Sequence, residues 1–406
     1  MILLLIVALF LLRGFYSNSI LLLITLLILI IIIILFLPDN LTLPKFKKAI
    51  SLFLPFTIWT ALTSFWSFEP VYTLERSIYL ALLLFSLSLI IWKTKNSNIK
   101  LLDIFYLTGL TIIVASFVSL LLTVPADSWS GGNAKGFMGF SNHQNTFASI
   151  FVFILPAFNY QLLSEYKSLK GKRTDLTSFL GILNKLTNLK IISLLILNLS
   201  GILLLIITFS RASFLSYLIF LSCVLMLIYS IRNYIIILGI MIIFLFVTAQ
   251  FPIFDKFYHY MIYKGDDNIE ATRMELLEAS IKASKRGGIF GLGYGISDQN
   301  IILKNIGIYK VGMYVREKGN STLALIEEVG IIGLILFYTP IILLLIRKIT
   351  KYQNLYTSNK TSGDIYNLFI FSMLISLLIH AQFEAWFVGV GSLQLPLFFI
   401  LFYENQ

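Results

Sequence analysis

Cysteine is all but missing from this chain. Cys223 stands alone inside an apolar run, so no intrachain disulfide can form and thiols give no information about compartment. Histidine is nearly as scarce: His143, His259 and His380 are scattered, and no His, Cys and carboxylate cluster has metal-ligand spacing. Neither a metal nor another cofactor is therefore expected. A serine-hydrolase elbow and a phosphate-binding lysine motif are also lacking. No internal repeat and no soluble domain stands out. Charge is the largest deficit, at 13% of residues, against a hydrophobic content of 58%. A soluble domain holds about 45–50% apolar residues, so this composition points to a membrane protein.

What fills the chain is a series of apolar runs, at 2–12, 19–37, 51–66, 77–92, 101–124, 146–163, 191–209, 213–229, 234–251, 321–346, 366–381 and 387–403. A spanning helix needs about 20 apolar residues and tolerates about 17. The expected fold is an all-α polytopic membrane protein of about 12 transmembrane helices, with residues 1–406 as a single integral membrane domain. The run at 2–12 is short for a span. It also makes a poor signal peptide, because no Lys or Arg precedes it and no small-residue cleavage site follows.

Lys and Arg are unevenly distributed among the connecting loops. They crowd into alternate ones, around Lys45–Lys48, Lys93–Lys100, 164–190 and Arg347–Lys360, while the intervening short loops and helix ends hold Arg13, Arg76, Lys135 and Arg211. The positive-inside rule then puts both termini in the cytoplasm and the long segment 252–320 outside, as one large extracytoplasmic loop. The net charge of +11 is mostly a topology signal and calls for no nucleic acid.

With this orientation the chemically suggestive residues gather on the outer side. The loop 136–145, Gly-Phe-Met-Gly-Phe-Ser-Asn-His-Gln-Asn, enters a span with His143 near its end. Its plainer reading is a turn and helix cap, since Asn and Ser favour both. Arg211 lies between two apolar runs, where a charge either snorkels as an anchor or meets a functional partner. Arg273 sits on an expected amphipathic helix, 270–284, whose apolar positions Met274, Leu277 and Ile281 recur every three or four residues. A solvated helix face is the plain alternative there. The glycine run 287–295 lacks the preceding strand and the acidic residue of a nucleotide-binding loop, and reads instead as a mobile turn touching membrane or substrate. Glu327 and Glu328 fall inside an apolar segment, where at least one should be paired or should cap a cavity.

Taken together, the ordered features resemble the bacterial O-antigen ligase and polymerase superfamily. They are the Gly-rich loop at a span entrance, the Ser210-Arg211 pair, and the outer loop with Arg273, a Gly-x-Gly-x-Gly turn and Asn320-x9-Gly330-x-x-Gly333. The resemblance implies a C-type glycosyltransferase that takes glycan from undecaprenyl diphosphate at the outer face of the bacterial cytoplasmic membrane, without a metal. It maps diphosphate contacts onto Arg211 and Arg273, with Arg316 as a third cation, and catalytic roles onto the Asn320 segment. Ligases carry a His immediately before that Asn, and here the position is Gly319. The departure favours the polysaccharide polymerase branch, as do 317–321 and 380–386.

The chemistry is consistent with the resemblance. Departure of a diphosphate builds negative charge that fixed cations must meet. The attacking sugar hydroxyl needs a base in hydrogen-bond reach, and with no His at 319 the candidates are Glu317, Glu384 and His143. Expected partners are the lipid-linked oligosaccharide as donor and acceptor, membrane lipid and a chain-length regulator. The alternatives are a ligase that transfers glycan to lipid A-core and, in another class, a lipid-linked sugar flippase. A flippase would put its polar features near the midplane and often in repeated halves.

Overall fold

The computed structural model describes residues 31, 44–94, 100–121, 136–139, 141, 143–171, 189–228, 269–308, 318–354, 362–389 and 392–406. Among them every regular element is helical: α1 (Pro44–Leu62), a 3-10 turn (Thr63–Phe65), α2 (Pro70–Thr94), α3 (Leu101–Leu121), α4 (Gln144–Gly171), α5 (Leu189–Ile207), α6 (Arg211–Ile228), α7 (Ile269–Gly287), α8 (Asp298–Asn305), α9 (Ser321–Asn354), α10 (Ser362–His380) and α11 (Gln394–Glu404). Seven of these, α2 to α6, α9 and α10, are long and apolar enough to cross a membrane. Apolar stretches at Leu52–Phe65 and Gln394–Glu404 are shorter than a span. The expected runs at 2–12 and 234–251 lie outside the described residues, as do nearly all of 19–37 and two site candidates, Arg316 and Glu317.

The chain divides into two compact units. One comprises Met1–Tyr16, Ile99–Asp267 and Asn354–Ser376, and is centred on α4, which packs against α3, α5 and α6. From Phe147 to Phe158 this helix is buried almost throughout, as expected of a segment apolar on every side. Its few polar groups are paired: Asn159 donates to the Tyr217 hydroxyl at 2.9 Å, and Lys100 donates to that of Tyr160 at 3.0 Å.

The other unit comprises Ser17–Asn98, Asn268–Gln353 and Leu377–Gln406. Here α2 packs on α1 and on α11, and α11 is buried from Leu395 to Tyr403. Phe337 is the hub of its aromatic core, with ring centroids 5.0 Å from Phe56 and 4.7 Å from Phe387. The apolar run at 387–403 is helical only from Gln394, so its first residues form a loop rather than the start of a span.

Two expectations about local structure need correction. The helix expected at 270–284 is present as α7, but Met274, Leu277 and Ile281 are exposed, while Ser280, Ala283 and Ser284 are buried. The small residues let α7 approach its neighbours closely, and that close packing decides which face turns inward. The second correction concerns 321–346, read above as one straight span. In a continuous helix Thr322 and Tyr338 would lie about 24 Å apart, yet their hydroxyls are 2.8 Å apart. Gly330, with φ 73° and ψ −179°, folds α9 back on itself. The element is a helical hairpin with a short arm, Ser321 to Val329, and a long arm from Ile331 to Asn354. The long arm extends about 36 Å and can cross a bilayer unaided.

Candidate functional site

The hairpin is built by an exchange of backbone hydrogen bonds. A break at Gly330 frees the carbonyls of Glu327, Glu328 and Val329 and the amides of Ile331 and Ile332. The glycine-rich turn after α7 takes four of them. Leu292 N donates to Glu327 O and Gly293 N to Glu328 O, each at 2.9 Å, while Ile331 N and Ile332 N donate to Gly288 O and Ile289 O at 3.1 and 3.3 Å. The fifth, Val329 O, accepts from Trp59 Nε1 at 2.7 Å. Irregular backbone at the edge of an apolar environment persists only when its polar groups are satisfied in this way. A side chain at Gly330 would run into Ile289 O, and one at Gly291 (φ 84°) into Glu328 O. The glycine-rich turn is thus a structural clasp rather than a mobile turn.

The same geometry gives the Asn-x9-Gly-x-x-Gly pattern a physical meaning. Asn320 caps the short arm, its Oδ1 accepting from Leu323 N at 2.9 Å. Gly330 is the fold. At Gly333 an added Cβ would run into Val329 and stand 3.0 Å from Trp59 Cδ1.

Two buried acids follow the cap. Lys318 Nζ lies 2.7 Å from Glu328 Oε1 and 3.2 Å from Glu327 Oε2. Glu328 also accepts from Gly295 N at 2.6 Å, and Glu327 from Ser297 Oγ and Asp298 N at 3.0 and 2.8 Å. Both acids are therefore paired, as expected. Lys318 went unassigned in the sequence because it pairs with residues nine and ten positions on only when the chain entering the short arm runs back alongside it. Arg76 packs beside this network, donating to Val388 O at 2.7 Å and lying over the ring of Tyr294, 5.7 Å from its centroid. Burial pushes the Tyr294 phenol above its ordinary range, and the nearby guanidinium offsets only part of that rise.

The cap segment also meets the turn after α10. Ser321 N donates to Ala381 O at 2.8 Å, Ser321 Oγ to Glu384 O at 2.7 Å, and Asn320 Nδ2 to Gln382 O at 2.9 Å. Asn320 and Glu384, two of the candidates, are thus joined in one cluster, with the Glu384 side chain partly exposed. His380 is buried, its Nδ1 accepting from Trp386 Nε1 at 3.0 Å. Gly319 lies against α7: a Cβ there would stand 2.7 Å from Leu276 Cδ2, one helical turn after Arg273. A side chain at 319 would therefore first meet the end of Leu276. The Arg273 side chain lies outside what is described.

In the first unit, the loop before α4 closes on the turn between α5 and α6. Phe137 N donates to Ile207 O at 2.9 Å, and Gly136 is in close contact with Thr208 O and with Gln144. Phe209 takes φ 51°, an uncommon conformation for an aromatic residue, and this turns the chain so that Arg211 begins α6 partly exposed. His143 is exposed and its Nδ1 accepts from Asn145 N at 3.1 Å, which gives its ring the capping role foreseen as the plainer reading. His143 and Arg211 are thus placed on neighbouring loops of one unit.

Residues 195–338 match the family model for O-Antigen ligase. The matched segment, about a third of the chain, runs through Arg211, α7, the glycine clasp and the hairpin, and ends at Tyr338. This agrees with the resemblance to the O-antigen ligase and polymerase superfamily. It indicates O-antigen ligase/polymerase-type function in polysaccharide biosynthesis, with glycosyltransferase-like activity. Members of the O-Antigen ligase family are membrane proteins, and the apolar helices fit that setting. Among curated proteins none matches the chain.

Proposed function

We propose that the protein is a polysaccharide polymerase that transfers glycan from undecaprenyl diphosphate to a lipid-linked acceptor at the outer face of the bacterial cytoplasmic membrane, without a metal. The observation that carries this reading is the hairpin at Gly330, which fixes Asn320 beside the Glu384 turn within a chain that matches the O-Antigen ligase family. In the reaction the acceptor hydroxyl oxygen attacks the anomeric carbon. The bond from that carbon to the diphosphate oxygen breaks, and its electron pair leaves with the diphosphate. The hydroxyl proton passes to a carboxylate, Glu384 or Glu317. Arg211, Arg273 and Arg316 meet the charge that grows on the leaving group. Glycine at 319, where ligases carry a histidine, favours polymerase over ligase. A chain-length regulator is the expected protein partner.

Membranes carrying each variant and supplied with lipid-linked repeat units provide the test. Wild type should lengthen the glycan. Glu384→Gln or Glu317→Gln should leave single repeats on the carrier, and Arg211→Ala or Arg273→Ala should abolish polymer at unchanged protein level. Lys at either arginine position should recover only part of the activity, since it keeps the charge and loses the planar fork. Long polymer from both Gln variants overturns the carboxylate base. Normal polymer length with failed attachment to lipid A-core in a deletion strain makes the protein a ligase. Failure of repeat units to reach the outer face makes it a flippase.

A further inference from the structure

Beside Asn320, three neutral side chains close a hydrogen-bonded ring that none of the chemistry above uses. Thr322 Oγ1 donates to Gln382 Oε1 at 3.0 Å, so in its 2.8 Å contact with Tyr338 the phenol must be the donor. Gln382 Nε2 completes the ring toward the Tyr338 oxygen at 3.5 Å, a weak bond, and also donates to Leu378 O at 3.2 Å. Asn320 holds Gln382 in place through its backbone and side-chain oxygens, at 2.9 and 3.3 Å.

With every donor in the ring directed inward, lone pairs are what Thr322 and Tyr338 have left to offer. All three side chains are partly exposed, and Phe383, next to Gln382, is 40% exposed. Such a ring accepts hydrogen bonds and is itself uncharged. It suits a neutral hydroxyl donor and disfavours a diphosphate, which can only accept. Phe383, the next residue along the chain, offers an exposed aromatic ring of the kind that suits the apolar face of a pyranose. We propose that Thr322, Tyr338 and Gln382, with Phe383, form a subsite for hydroxyl groups of the acceptor glycan. This rests on the transferase reading and holds for a polymerase or a ligase alike. The subsite lies where an acceptor has to lie, since Glu384, a candidate base, is two residues from Gln382 and Ser321 Oγ bonds its carbonyl.

The probe is the oligosaccharide released by mild acid from the host's own lipid-linked pool, used as a soluble acceptor with labelled lipid-linked donor and purified full-length protein in vesicles. Tyr338→Phe and Thr322→Val should each raise the acceptor KM about tenfold, the scale of one lost hydrogen bond. They should leave kcat and the donor KM within about twofold, as expected when binding alone is lost. Thr322→Ser, which keeps the hydroxyl, should resemble wild type. Saturation-transfer NMR of the probe gives a second measurement independent of turnover: wild type should saturate it, and the Tyr338→Phe/Thr322→Val double variant should not. An unchanged acceptor KM, or equal saturation by the double variant, overturns the subsite and leaves the transferase reading standing. No labelled product from wild type overturns that reading and the subsite with it.

Discussion

Glu328 ties together three parts of its unit. One oxygen faces Lys318 and the other accepts the Gly295 amide, so the cap segment and the glycine clasp share a single carboxylate. The side chains of Glu328 and Lys318 are 4% and 12% exposed, which makes the pair more than a surface ornament. Removing one partner of a buried ion pair costs about 3–5 kcal/mol, because the other charge is left uncompensated. Lys318 keeps Glu327 at 3.2 Å, so the lower end applies. Glu328→Leu should therefore destabilise the protein by about 3 kcal/mol in thermal unfolding in detergent. Glu328→Gln, whose amide oxygen can still accept from Gly295, should cost less. A Gln variant as damaged as the Leu variant would show that the charge, and not the bond to the clasp, is what matters. The acids were visible in the sequence as charges inside an apolar run. Lys318, their partner, was not, because pairing across nine and ten residues depends on how the chain enters the short arm, which side-chain composition does not encode.

The hairpin at Gly330 was hidden from the sequence for a reason of its own. Hydropathy averages over a window, and both arms of α9 are apolar, so a folded segment and a straight one look alike. The pattern Asn-x9-Gly-x-x-Gly was legible as a motif, while its meaning as cap, fold and close contact required the clasp at 287–295 to be in place. Gly330→Ala tests that meaning. Its φ of 73° with ψ near 180° is essentially glycine-only territory, costing a side chain about 1–3 kcal/mol. The added Cβ would also meet Ile289 O, a backbone atom that cannot move without opening the clasp. The expected result is a fall in stability above about 3 kcal/mol together with loss of activity, since Asn320 would no longer be held at Gln382. Trp59→Phe is the milder comparison. It keeps a ring beside Phe290 but loses part of the indole's bulk and the donor to Val329 O, the lost hydrogen bond costing about 1 kcal/mol. Equal behaviour of the two variants would mean that the hairpin does not depend on its glycine.

Over the whole molecule, topology is decided by which side of the membrane each loop faces. Within the first unit, the bond from Phe137 to Ile207 and the contact of Gly136 with Gln144 put the start of α4 and the end of α5 at the same end. The start of α4 and the turn at 208–210 therefore share one face, opposite the end of α4 at Gly171 and the start of α5 at Leu189. That pairing is independent of any charge count, but it leaves the sign open: either face could be the cytoplasmic one. Charge supplies the sign, because the connector between Gly171 and Leu189 carries Lys172, Arg173 and Lys185, and short loops rich in Lys and Arg stay inside. The long loop 252–320 obeys no such rule, so its side follows from the number of crossings before it. Single cysteines on a Cys223→Ala background separate the two possibilities. With a membrane-impermeant thiol reagent on intact spheroplasts, Asn305→Cys on the exposed end of α8 should label and Ser178→Cys in the connector should not, until the membrane is opened with detergent. Labelling of Ser178→Cys in intact cells would invert the orientation and move Arg211 and His143 to the cytoplasmic face. Labelling of both positions would overturn the inside placement of 164–190 and leave the outside placement of 252–320 standing.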